Sequence, residues 1–110
     1  MINYIKKRTP HTELLALLAE ECAELGHAAL KLRRAMTGTV PTPVTEDEAA
    51  GNVLEEVADV LNCLELLGVT DFDNIDVLTD IQVAKLERWA TRLKEAEERD
   101  KTAAAAVQSN

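Results

Sequence analysis

Four acidic residues in two short motifs are the part of this 110-residue chain best suited to chemistry. Glu21 and Glu24 form an E-x-x-E pair, and Glu56 and Asp59 form an E-x-x-D pair. Residues three apart lie on one side of a helix, so each pair presents its carboxylates together. Each pair also lies in or beside an apolar stripe of its predicted helix. The two stripes are Leu14, Leu17, Leu18, Leu25, Ala28 and Leu32, then Val53, Val57, Val60, Leu64 and Leu67.

A carboxylate on an apolar face is destabilising unless its charge is removed or compensated. Protonation, pairing with arginine and binding of a divalent cation are the three ways to do this. Mg²⁺ prefers oxygen ligands and is commonly held by a few carboxylates together with substrate phosphates. A single E-x-x-E pair is usually a solvated face. Two pairs that both interrupt apolar stripes favour a metal site, with Mg²⁺ as the expected ion and Mn²⁺ as the alternative.

Basic side chains on a later predicted helix are candidates for binding an anion. Lys85 lies on the flank of an apolar stripe, and Arg88 and Arg92 follow it at helical spacing. Lys85 and Arg88 suit phosphate oxygens, whereas the expected role of Arg92 is to neutralise nearby acids. Trp89 and Asn62 each have two interpretations. Packing or a polar helix surface is the commoner one, and contact with a base or ribose is the other.

Three long helices are expected to position these residues, because breakers are few and no alternating strand pattern occurs. Thr9-Pro10 is expected to start the first helix, with the threonine as its cap. Thr45 followed by Glu48 is a capping box, and Gly68 is a stop signal. Residues 37–44 are predicted to be a loop because they contain glycine and two prolines. The predicted helices cover 10–36, 45–67 and 75–100, the last with a break near Thr79.

The expected fold is all-α, an antiparallel bundle of three long helices in a single domain over residues 1–101. Residues 102–110 are an alanine run with a polar end, which predicts a disordered tail. Three helices from one chain give a thin core. Completion of the core by a second copy is therefore expected, in a homodimer or a homotetramer.

Composition excludes several classes of protein. The net charge of −8 argues against binding to duplex nucleic acid, which needs a basic face. No apolar run is long enough to span a membrane, and no apolar stretch follows the charged N-terminus as in a signal peptide. Cys22 and Cys63 are too few for a disulfide scaffold or a zinc site and are expected to be small core residues. A cytoplasmic protein is expected.

The acidic motifs and their surroundings resemble the MazG-like, all-α nucleoside triphosphate pyrophosphohydrolases. The segments Leu18–Leu25 and Leu54–Leu61 resemble the two core helices of that family, and Lys85-Leu86-Glu87-Arg88 resembles its K-x-x-R element. The resemblance covers roughly residues 10–95, and the order of the motifs gives it its specificity. Residues 37–45 lengthen the segment between the acidic motifs relative to compact family members, which puts the substrate in doubt more than the reaction.

The resemblance implies a Mg²⁺-dependent enzyme that cleaves a nucleoside or deoxynucleoside triphosphate to the monophosphate and pyrophosphate, in nucleotide-pool housekeeping. It implies that Lys85 and Arg88 contact the triphosphate and that Glu21 or Glu24 accepts a proton from water. The implied metal ligands are Glu21, Glu24, Glu56 and Asp59. Two alternatives stay open: a phosphoribosyl-ATP pyrophosphohydrolase, and a non-catalytic helical oligomer that serves as an interaction module.

Overall fold

The computed structural model describes residues 1–109, which form four helices and no strand. The all-α fold class is confirmed, and the three long helices were predicted. None of the described helices combines the length and apolar character needed to cross a membrane. The helices are α1 (Ile2–Arg8), α2 (His11–Thr37), α3 (Glu46–Leu66) and α4 (Phe72–Gln108).

The short helix α1 was not predicted, and its presence changes the role of Thr9. Thr9 is the C-terminal cap of α1, and its N–H donates to the carbonyl oxygen of Ile5. Pro10 is the N-cap of α2, with no side-chain cap, so the predicted threonine cap is wrong. The Arg8 guanidinium lies 3.6 Å from the ring centroid of Tyr4, a cation–π contact between residues four apart. Such pairs stabilise a short helix that has no apolar stripe.

Helices α2 and α3 pack against each other, and α1 packs against α3, within one compact unit, Met1–Asp71. Its buried apolar residues are Leu14, Ala28, Ala49 and Cys63. Cys63 is a core residue as predicted, whereas Cys22 is exposed, which corrects the expectation for that cysteine. Leu17, which was assigned to the apolar stripe, is 41% exposed, so the stripe of α2 is narrower than predicted.

Two predicted helix boundaries are confirmed, one by a capping hydrogen bond and the other by the backbone conformation. The hydroxyl of Thr45 accepts from the N–H of Glu48 at 3.1 Å and caps the N-terminus of α3. Gly68 follows α3 with φ +76°, a left-handed conformation that side chains rarely adopt. A Cβ at this position would lie 2.8 Å from a side-chain oxygen of Asp71. Both the backbone angle and the close approach therefore favour glycine.

Helix α4 belongs to the second compact unit, Phe72–Asn110, and runs from Phe72 to Gln108. The break predicted near Thr79 is wrong, because its hydroxyl donates to the Ile75 carbonyl within the uninterrupted helix. The helix also includes residues 102–108 of the predicted tail, where alanine is the strongest helix former. Residue 110 lies outside the described residues. None of the described residues of α4 is buried.

Candidate metal centre

Glu21 and Glu56 occupy the middle of the buried seam between α2 and α3. Each glutamate lies seven residues from a buried residue on either side along its own helix. Seven residues are almost two full turns, so each buried residue faces within about 20° of its glutamate. The two sets are Leu14, Glu21 and Ala28 on α2, and Ala49, Glu56 and Cys63 on α3. A carboxylate therefore interrupts the apolar seam on both helices.

Packing of the two helices brings carboxylates from both motifs together. Carboxylate oxygens of Glu21, Glu24 and Glu56 all lie within 4.8 Å of one another. Glu21 and Glu56 are half-buried, and Glu24 is exposed. Asp59 is not a member of this triad, although its negative charge acts on both half-buried glutamates. Three of the four predicted ligands thus meet at one place, and Asp59 lies in the surroundings.

The half-buried glutamates have polar atoms without a partner. The Oε2 atoms of Glu21 and Glu56 are both buried and accept no hydrogen bond. Among residues 1–71, no lysine, arginine or histidine nitrogen lies within 4.0 Å of the triad carboxylates. Pairing with arginine, one of the three possible compensations, is therefore absent from this unit. Protonation and binding of a cation remain as ways to compensate the charges of the two glutamates.

Burial raises the pKa of both half-buried glutamates above the ordinary value. For Glu21, the negative charges of Glu24, Asp59 and Glu56 raise the pKa further. For Glu56, burial is again the largest cause, followed by the charges of Glu24 and Asp59. A side-chain hydrogen bond with Glu24 also raises the pKa of each of the two glutamates. The site thus favours a positive partner, either protons or a cation with oxygen ligands.

A surface pocket of about 210 Å³ adjoins the triad and contains residues that the sequence analysis did not assign to the site. Lys31, half-buried, follows Glu24 by seven residues on α2, and Asn52 precedes Glu56 by four on α3. This helical spacing from the motif residues is the signal that could have identified both. The pocket is lined by Glu24, His27, Ala28, Lys31, Asn52 and Glu56.

The remaining predicted site residues are Lys85, Arg88 and Trp89 on α4, in the second compact unit, and Asn62 on α3. Lys85, Arg88 and Trp89 are exposed on α4, where they line one surface groove together with Arg92. Trp89 is 63% exposed, so the packing role suggested for it has no support within its own helix. Asn62 is exposed on α3 and does not line the pocket beside the triad.

Comparison with known proteins gives no assignment of family. No protein-family model, no curated protein and no solved structure matches this chain. Only the residues themselves and the motif resemblance therefore bear on function.

Proposed function

We propose that this chain is a Mg²⁺-dependent nucleoside triphosphate pyrophosphohydrolase that converts a nucleoside or deoxynucleoside triphosphate to its monophosphate and pyrophosphate. The observation that carries the proposal is the pair of buried, unpartnered carboxylate oxygens of Glu21 and Glu56 in the apolar seam. Apolar residues there would pack the two helices better, so a purely structural seam has no reason to hold two acids. A bound cation would give both acids a role.

The donor set suits a small hard cation. Three carboxylates offer oxygen ligands within 4.8 Å of one another, and Asp59 adds negative charge nearby. Such a cation is commonly bound through few protein ligands, with its remaining positions left to water and phosphate oxygens. We assign Glu21, Glu24 and Glu56 as ligands and Asp59 as a fourth acid that binds directly or through water.

The reaction follows from the charges of substrate and site. Bound Mg²⁺ would offset the negative charge of the phosphates and make water a better nucleophile. Attack of water on the α-phosphorus breaks its bond to the bridging oxygen, and pyrophosphate leaves with the bonding electron pair. Glu21 or Glu24 accepts the proton that the water loses. Lys85 and Arg88 are proposed to contact the leaving phosphates.

We also propose that the protein works as a homodimer or homotetramer. The support is that large apolar side chains of α4 are exposed in this helix, which has no buried residue of its own. Such a helix needs an apolar partner to be stable in water. The exposed set includes Ile81, Leu86, Trp89 and Leu93.

The same exposed face supports a second candidate, a non-catalytic oligomer that serves as an interaction module. In that account the acidic pairs would form salt bridges between helices. Among residues 1–71 no such bridge to the triad exists, so this unit by itself gives that account no support. Phosphoribosyl-ATP remains an alternative substrate for the same chemistry.

Product identity tests the proposal directly. The protein is incubated with the eight common nucleoside and deoxynucleoside triphosphates and with phosphoribosyl-ATP, in Mg²⁺ and in EDTA. We expect monophosphate and pyrophosphate in Mg²⁺ alone, no turnover by E56Q, and near wild-type turnover by E65Q, which changes an exposed acid farther along the same helix. Release of orthophosphate, or an E56Q variant as active as E65Q, would overturn the assignment.

A further inference from the structure

We propose that Lys31, with Asn52 beside it, binds the phosphate chain of the substrate at the pocket next to the carboxylate triad. This inference rests on the proposed function and adds a binding residue that the acidic motifs do not contain. It places a phosphate-binding cation in the same compact unit as the carboxylates, on α2 itself.

Lys31 is a cation without an ionic partner in its own unit. Among residues 1–71, no carboxylate oxygen lies within 4.0 Å of its ammonium group. The side chain is half-buried and lines the pocket that Glu24 and Glu56 also line. An exposed surface lysine would be free to turn into solvent. Lys31 instead lines a surface pocket that two of the acids also line, where it is within reach of an anion bound to a cation.

Helix geometry directs Lys31 toward the triad. Long side chains on a helix lean toward its N-terminus, so Lys31 covers the turn that contains His27 and Ala28. That turn lies between Lys31 and Glu24, which are about 10.5 Å apart along the helix axis. On α3, Asn52 lies about 6 Å along the axis from Glu56. Because Lys31 and Asn52 line one pocket with Glu24 and Glu56, the antiparallel helices place donors at one end and acids at the other.

The chemistry of the pocket fits phosphate better than a neutral group. A chain of linked phosphates carries charge at several positions, so one part can bind at the acids through a cation while another accepts from Lys31. The Asn52 amide supplies a neutral donor on the facing helix. A nucleobase would also fit the volume and could use Asn52, but it would leave the lysine charge without a partner.

Four variants and one inorganic probe test the inference. K31M removes the charge and keeps the aliphatic stem, K31R keeps the charge, and R33M removes an exposed charge from the same helix as a control. N52D places a negative charge beside the proposed phosphate position. We measure KM and kcat for several triphosphates, and calorimetric binding of inorganic tripolyphosphate in Mg²⁺. Circular dichroism confirms that each variant is folded.

Loss of one charge-assisted hydrogen bond predicts that K31M and N52D raise KM about tenfold for every base, with kcat changed less than about threefold. Tripolyphosphate binding should weaken to a similar extent, while K31R and R33M stay near wild type. Equal behaviour of K31M and R33M overturns the inference, as does a KM change confined to one base.

The tripolyphosphate measurement separates this inference from the proposed function. If no nucleotide is hydrolysed but tripolyphosphate binding depends on Lys31, the enzyme proposal fails and the phosphate site stands. If hydrolysis depends on Glu56 while tripolyphosphate binds equally to wild type and K31M, the enzyme proposal stands and the phosphate site fails.

Discussion

Adding Mg²⁺ to the metal-free protein should raise its melting temperature substantially. The three carboxylates come together only when α2 and α3 are packed, so the unfolded chain lacks the site and binding stabilises the folded state alone. The negative charges that surround Glu21 and Glu56 make the metal-free site unfavourable, and a divalent cation removes that repulsion. The change in melting temperature measures this without any assumption about catalysis.

The size of the shift follows from linkage and from the size of the unfolding unit. At a Mg²⁺ concentration one hundred times Kd, binding contributes about 2.7 kcal/mol. The entropy of unfolding is about 0.15 kcal/mol per kelvin for residues 1–71 and about 0.23 for all 110 residues. The expected rise is therefore about 18 °C if the first unit unfolds alone, and about 12 °C if the whole chain unfolds together.

The melting temperature is measured by far-UV circular dichroism, and Kd for Mg²⁺ is measured by calorimetry. Choline chloride of equal ionic strength controls for the screening of charges by salt. The E56Q variant loses one of three triad ligands. A 100-fold weaker affinity reduces its shift to about 2–3 °C at the same Mg²⁺ concentration. E65Q, changed at an exposed acid farther along α3, should shift as the wild type does. An equal rise for wild type and E56Q would refute the site, and so would a wild type whose melting temperature Mg²⁺ does not change.

Four further predictions concern stability. Because burial raises the pKa of Glu21 and Glu56 above the ordinary value of 4.5, the folded state holds their protons more tightly than the unfolded state. In EDTA the melting temperature should therefore rise as the pH falls from 7 toward that value, and less so in a variant with glutamine at both positions. Gly68→Ala should cost more than about 1 kcal/mol in urea unfolding because of its positive φ. Gly26→Ala, inside α2 with open space around it, should instead stabilise by about 0.5–1 kcal/mol. Leu14→Ala should cost about 2–4 kcal/mol, since this leucine is only 3% exposed, and a smaller loss would contradict its place in the core.

Local features of the sequence were enough to predict the long helices. Breaker residues, the Thr45 cap and the Gly68 stop act within a few residues of where they occur, so their effects do not depend on the rest of the fold. Helical spacing likewise placed each acidic pair against an apolar stripe. The short helix α1 was missed because it has no apolar periodicity. Its contacts are a cation–π pair and a backbone cap, each between residues four apart. Alanine propensity, rather than a core, carries α4 through residues 102–108.

The meeting of the two motifs was decided by tertiary structure. Spacing along one helix says which side chains share a face, but the rotation and shift of α2 against α3 depend on how the whole seam packs. That packing brings Glu24 into the triad, leaves Asp59 outside it, and places Lys31 and Asn52 along one pocket. The sequence alone determined that acids would interrupt two apolar faces. Only the packed helices determined which of those acids share a site, because distances between helices are set by contacts far apart in the chain.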